Sequence, residues 1–141
     1  MARTRRRRPT QPPPTRLVLD SGAVIALSRN DVRARAVLAA AWEAGAEVFI
    51  PSVVLAETVR GSTPHALVNR VVRAVGEICV ADEATGRLAG CLLGSAESTS
   101  SVDALVVANA IGLGGGVILT GVPQDLGALA GEHPAVEIHA L

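Results

Sequence analysis

Lysine and tyrosine are absent from this chain of 141 residues, and Trp42 and Phe49 are its only aromatics. Without lysine there is no Gly-Lys-Ser/Thr phosphate loop, no amine for Schiff-base chemistry, and no lysine beside the aspartate of a receiver-type phosphoacceptor domain. With so few aromatics, single-strand binding by stacking bases on aromatic platforms is disfavoured. Cysteine is scarce as well. Cys79 and Cys91 lie in apolar segments, form no Cys-x-x-Cys pair, and read as two buried thiols of a reducing compartment. His65, His133 and His139 show no metal-ligand spacing. No apolar run reaches membrane-spanning length, and the N-terminus carries charge and prolines rather than the apolar stretch of a secretory signal. The expected location is cytoplasmic, with no membrane partner.

What is present is aliphatic. The hydrophobic share is 49%, so the core must be built from Ala, Val, Leu and Ile, and the length suits one domain with a real interior. The net charge of zero hides an asymmetry. Residues 1–16 hold six of the thirteen Arg and no acid, while the rest holds seven Arg and all thirteen acids. Residues 1–16 therefore read as a disordered basic, Pro-rich arm, because consecutive arginines repel and the proline cluster cannot enter a helix or central strand. Such an arm serves as an electrostatic contact for nucleic-acid phosphates, or as a solubilising tail, or reflects a start codon placed too early. Residues 17–141 read as the folded domain.

Within that domain short apolar strands alternate with helices. Leu17–Asp20 reads as a strand and Gly22–Ser28 as a short helix. Asp31 caps a helix to about Ala44, with Gly45 as its stop. Glu47–Ile50 is a strand, Pro51-Ser52 opens a helix carrying Glu57 that ends at Gly61, and Pro64–Val75 is helical. Glu77–Val80 is a strand, and Asp82 caps the next helix. Ser98–Ser101 is a loop of candidate N-caps, and Val102–Gly112 a helix apolar nearly all round that must be sandwiched. Val117–Thr120, Asp125–Ala130 and Val136–His139 read as strand, helix and strand. This alternation predicts an α/β sandwich with a mostly parallel central sheet flanked by helices.

Three acids stand out against the apolar background. Asp20 ends Leu17-Val18-Leu19, Glu57 lies in Ser52-Val53-Val54-Leu55-Ala56-Glu57, and Asp103 opens Asp103-Ala104-Leu105-Val106-Val107-Ala108. Each lies past a strand end or on the apolar stripe of a helix, where a carboxylate costs free energy unless a cation shares it. In an open parallel sheet, ligands bind outside the carboxyl ends of the strands, so the three are expected to converge on one rim. Two carboxylates about 4 Å apart repel by roughly 4 kcal/mol at an effective dielectric near 20. A Mg²⁺ or Mn²⁺ ion offsets that and activates a water, and an all-oxygen site suits those ions better than Zn²⁺. Taken singly, each acid has a plainer use: Asp20 in a turn, Glu57 paired with Arg60, Asp103 at a helix N-terminus.

On Leu17-Val18-Leu19-Asp20-Ser21-Gly22-Ala23, Pro51–Glu57, Val102-Asp103-Ala104-Leu105 and Val117–Thr120 followed by Pro123–Leu126, the chain resembles a PIN domain, specifically a VapC-type toxin ribonuclease of a bacterial toxin–antitoxin pair. The resemblance covers residues 17–141. It implies a PIN-like three-layer sandwich and a Mg²⁺- or Mn²⁺-dependent endoribonuclease that cuts RNA, forms a homodimer and is held inactive by a cognate antitoxin protein. By the same resemblance Asp20 and Asp103 are metal ligands, Glu57 binds the metal or its water, and the Ser21 and Thr120 hydroxyls support the acids. The hydroxyls also suit ordinary turn and strand-end hydrogen bonds.

Two positions depart from the family pattern. Val122 stands where a fourth acid is usual, and Ser100 stands where related sequences often carry an acid three residues before the third. Asp125 reads first as the N-cap of the last helix, with reach toward the site as the alternative. Arg60 at the rim is a candidate for a substrate phosphate. These departures motivate a second reading, a catalytically weak PIN-like domain that binds an antitoxin or RNA. A small-molecule α/β enzyme lacks support, because Gly112-x-Gly114-Gly115-Gly116 follows a helix and precedes a strand, the wrong order for a dinucleotide site.

Overall fold

Short aliphatic runs bounded by acids, Gly or Pro become strands, and the longer runs between them become helices. The computed structural model describes residues 16–61 and 65–141, except the side chain of residue 65. In order along the chain stand β1 (Arg16–Leu19), α1 (Ser21–Ser28), α2 (Val32–Glu43), β2 (Glu47–Pro51), α3 (Ser52–Thr58) and α4 (His65–Val75). There follow β3 (Glu77–Cys79), α5 (Glu83–Ala96), α6 (Ser101–Gly112), β4 (Gly116–Thr120), α7 (Pro123–Ala130) and β5 (Val136–Ala140). The expected arm lies outside the described residues except for Arg16. That residue belongs to β1, paired in register with Glu47, so the strand includes one residue before its apolar run. Pro64, the expected first residue of α4, also lies outside the described residues.

The five strands form one sheet in the order β3-β2-β1-β4-β5, and every pairing is parallel. The central strands are buried on both faces, as parallel sheets require. Leu17, Val18 and Leu19 of β1 and Ile118, Leu119 and Thr120 of β4 are almost wholly shielded from solvent. α2 lies over β1 and β2, while α6 lies over β2, β4 and β5 and packs with α5 and α7. With β1–β2–β3 stepping one way from the centre and β4–β5 the other, right-handed crossovers put these two helix groups on opposite faces. The result is a three-layer sandwich.

The sequence explains the stops and starts. Asp31 Oδ1 accepts from Ala34 N at 2.9 Å and Asp82 Oδ1 from Thr85 N at 2.9 Å, so both expected caps close their helices. Gly45, at φ 75°, ends α2 in a conformation that costs a side chain dearly. α6 packs through Ala104, Val106, Val107, Ala108 and Ala110, all at most 1% exposed, and its small residues let neighbours approach closely.

Three expectations are corrected. Cys91 is exposed, not buried, because it falls on the outer side of α5; Cys79 is half-buried, and burial pushes its thiol pKa up. α3 ends at Thr58, short of Gly61, with Val59 already extended. Asp125 is not the cap of α7: the helix starts two residues earlier, at Pro123, with Val122 at the N-cap position and Asp125 inside the first turn. Proline favours the first helical position, where its missing N–H is not needed, and that moves the start.

Candidate functional site

The strand order reverses between β1 and β4, and the crevice outside the carboxyl ends of two such strands is where an open α/β sheet holds its ligands. The register pairs Leu19 with Leu119, so the next residues out, Asp20 and Thr120, meet at the switch point. Asp20 N donates to Leu119 O at 3.2 Å, which carries the ladder one step beyond β1.

Asp20 is the N-cap of α1, and its Oδ1 accepts from Ala23 N at 3.0 Å. It is 5% exposed. Burial raises its carboxyl pKa above the ordinary value. Hydrogen bonds from the Thr120 hydroxyl and the Ala23 amide work against that rise, and the negative charge of Asp103 adds to it. Asp20 and Asp103, far apart in sequence, thus feel each other's charge. None of the groups acting most strongly on Asp20 is a cation.

Each neighbouring hydroxyl has an acid or a backbone group to hold. Ser100 Oγ donates to Asp103 Oδ2 at 2.7 Å. Ser100 is the N-cap residue of α6, yet its side chain makes no capping bond. The hydroxyl serves the carboxylate instead. Ser21 Oγ donates to Glu57 Oε1 at 2.5 Å, bridging the start of α1 to the end of α3. Thr120, wholly buried, accepts from Val122 N at 2.9 Å as well as acting on Asp20. The α1 backbone approaches closely here too: a Cβ on Gly22 would lie 3.1 Å from Gly121 N and 3.4 Å from Asp20 Oδ1.

The three acids are therefore not equivalent. Asp20 and Asp103, which feel each other's charge, form the inner pair, and Glu57 is exposed and held by Ser21, the residue after Asp20. Among the described residues, no three acids, cysteines or histidines stand together as a ready ligand cluster. Glu57 instead lines a neighbouring groove of about 280 Å³ with Ser28, Arg29, Arg60 and Leu67. Arg60 Nε donates to the Glu57 carbonyl at 3.3 Å, which fixes its stem at the edge of that groove. Asp125 is exposed in the first turn of α7 and Val122 is 42% exposed at its N-cap.

The inner pair fits a hard cation. Its donors are oxygens only, Asp20 is buried with no cation among its strongest influences and Asp103 is half-buried, and Mg²⁺ is typically held by one or two carboxylates with water filling the rest. Arg29 and the Ser100–Asp103 bond were not evident from sequence. Arg29 lies one residue past an ordinary helix end, and Ser100 stands among several adjacent cap candidates with nothing local to tie it to Asp103.

No protein-family model matches the sequence, and no curated protein matches it. Solved structures do resemble the fold. The structure of VapBC2 from Rickettsia felis bound to a DNA fragment from their promoter has a TM-score of 0.71 at 15% identity, covering 89% of this chain and 98% of that one. The structure of FitAB bound to IR36 DNA fragment gives 0.62 at 16% identity, with 88% and 94% covered. FitAcB from Neisseria gonorrhoeae gives 0.59 at 16%, with 86% and 95% covered. At such identities the likeness establishes the architecture. The chain has a PIN-like α/β fold, with an all-parallel five-stranded sheet.

Proposed function

We propose that the chain is a Mg²⁺- or Mn²⁺-dependent endoribonuclease toxin that hydrolyses RNA phosphodiester bonds and is neutralised by a cognate antitoxin protein. The observation that carries this reading is the Asp20–Asp103 pair: a buried carboxylate at the sheet's switch point, burdened by a second one and held by hydroxyls rather than by an arginine. A divalent ion bound there supplies Lewis acidity and a water of lowered pKa.

The chain's own groups have distinct tasks. Asp20 and Asp103 would hold the ion, with Thr120 and Ser100 fixing their carboxylates. In this reading Glu57, exposed and hydrogen-bonded by Ser21, is the group that takes a proton from the attacking water. Arg29 and Arg60 share the Glu57 groove and meet RNA phosphates there. Two further points support the family reading: the resemblance of the motifs, and neighbours of the same fold whose structures are bound to DNA. A homodimer and a separate inhibitor protein follow from that reading.

The test is cleavage of end-labelled RNA by the full chain with Mn²⁺, with EDTA, and as Asp20→Asn. The expected result is cleavage that EDTA stops and that Asp20→Asn reduces by about a hundredfold to a thousandfold, the scale of losing a group that acts in the transition state. Cleavage that survives both would sink the assignment. Absence of cleavage in the wild type, with RNA or inhibitor binding intact, would favour the binding-module reading that Val122 and Ser100 motivate.

A further inference from the structure

α6 carries a second polar residue that the acid site does not use. Asn109 is 4% exposed, and its Nδ2 has no hydrogen-bond partner among the described residues. A buried donor left unmade costs about 1–3 kcal/mol, and native structures rarely keep one without a reason. Asn109 lines an open cavity of about 290 Å³ between the end of β3, the first turns of α5 and the last turns of α6. Val80, Leu88 and Leu113 give it apolar walls, and Asp82 and Thr85 give it a polar side. Nδ2 is itself shielded from solvent, but the amide's χ2 is a soft torsion, so an occupant of the cavity can draw the donor round by rotation of the amide.

The cavity's chemistry is selective. It combines apolar walls with a few aimed polar groups, the usual make-up of a small-ligand site. At 290 Å³ it lies at the foot of the usual range of roughly 300–1,000 Å³, enough for one flat ring system. Asn109 offers a donor. Asp82 is exposed and held ionised by the Thr85 amide and hydroxyl, both of which end on Oδ1, so its carboxylate retains lone pairs for a further donor. An acceptor directly beside an amine is the Watson–Crick edge of adenine or cytosine, and amide side chains hydrogen-bond to base edges of this kind.

We propose that this cavity takes one adenine or cytosine base of the RNA, with Asn109 donating to a ring acceptor and Asp82 accepting from the exocyclic amine. The inference rests on the ribonuclease reading above and adds base preference to it. Asp103 and Asn109 are six residues apart on α6, about 9 Å along the axis and 1.7 turns round it. The base therefore sits on another face of α6 from the cleavage point, further toward the end of the helix.

The experiment follows the Asn109 side-chain amide by ¹⁵N-resolved NMR in the full chain, titrated with each of the four nucleoside monophosphates at millimolar concentration. The expected result is a saturable shift of that amide and of the backbone amides lining the cavity with the adenosine and cytidine compounds, about tenfold weaker with the other two, and loss of the backbone shifts in Asn109→Leu. Asp82→Asn is the second variant and should weaken the same binding if Asn109→Leu does not fold. An unmoved Asn109 resonance with all four compounds, beside normal RNA cleavage, overturns the base site and leaves the nuclease reading intact. Binding with the expected preference but no cleavage upholds the base site and overturns the nuclease reading. Equal shifts with all four, or binding that survives both substitutions, show that the cavity reads no base and overturn the proposal.

Discussion

Replacing Asp20 by Asn should make the metal-free protein more stable. Burial, reinforced by the charge of Asp103, raises the Asp20 pKa from its ordinary 3.8. Between that value and the raised one, the folded state holds more protons than the unfolded state, so stability falls as pH rises through the window and the full cost is present above it. Asn removes the charge and keeps the cap, since it accepts from the Ala23 amide about as well as Asp does. Relief of an electrostatic conflict of this kind yields about 1–2 kcal/mol. For a domain of this size, 1 kcal/mol moves Tm by roughly 3–5 °C. Thermal melts in EDTA at pH 7 should place Asp20→Asn roughly 3–10 °C above the wild type, and the gap should close as the pH is lowered below the carboxylate range. Millimolar Mn²⁺ should raise the wild type and leave the variant unmoved. If Asp20→Asn melts below the wild type in EDTA at neutral pH, the carboxylate is a structural asset and the reasoning fails.

Four further outcomes are expected. Thr120→Val removes the hydroxyl that favours the Asp20 anion, so the acid limb of the pH–rate profile should move to higher pH, with about 1–2 kcal/mol of stability lost in denaturant titrations. Val122→Asp puts a capping side chain at an N-cap position that has none. It should add about 1 kcal/mol in urea melts and tighten Mn²⁺ binding, since the residue adjoins Thr120. Arg29→Ala should lower the slope of log affinity against log salt for RNA by about one unit, measured by fluorescence anisotropy on the Asp20→Asn background. At Gly86, Gly90 and Gly94 on α5, an added Cβ meets nothing within 4 Å, so Ala at each should add about 0.5–1 kcal/mol. A loss at any of the three would show that the exposed face of α5 is covered in solution.

The architecture was largely legible in the sequence because its signals are local. Runs such as Val18-Leu19 and Ile118-Leu119 need burial on both sides, and Asp31 and Asp82 announce their helices by cap chemistry. The boundary errors had local causes as well: Arg16 has no apolar signal but pairs through its backbone, and Pro123 set the start of α7 where Asp125 was expected to cap it. The site was legible only as a set of candidates. That Asp20 meets Thr120 depends on β1 and β4 being neighbours in register, a long-range pairing that no spacing encodes. Glu57 shows the limit most plainly. Its position on α3 agreed with a role at the rim, but its tie to Ser21 and its exposure in a separate groove required the packing of α1 against α3. Asn109 was hidden for the opposite reason, as one polar residue inside a helix read as apolar nearly all round.

The most direct measurement is calorimetric titration of the purified, partner-free chain with Mn²⁺ at pH 7. One ion per chain is predicted for the wild type, with affinity reduced at least about tenfold in both Asp20→Asn and Asp103→Asn, while Glu57→Gln binds more nearly as the wild type does. No heat of binding, or equal affinity in all four proteins, would contradict the claim that the Asp20–Asp103 pair at the switch point is a metal site.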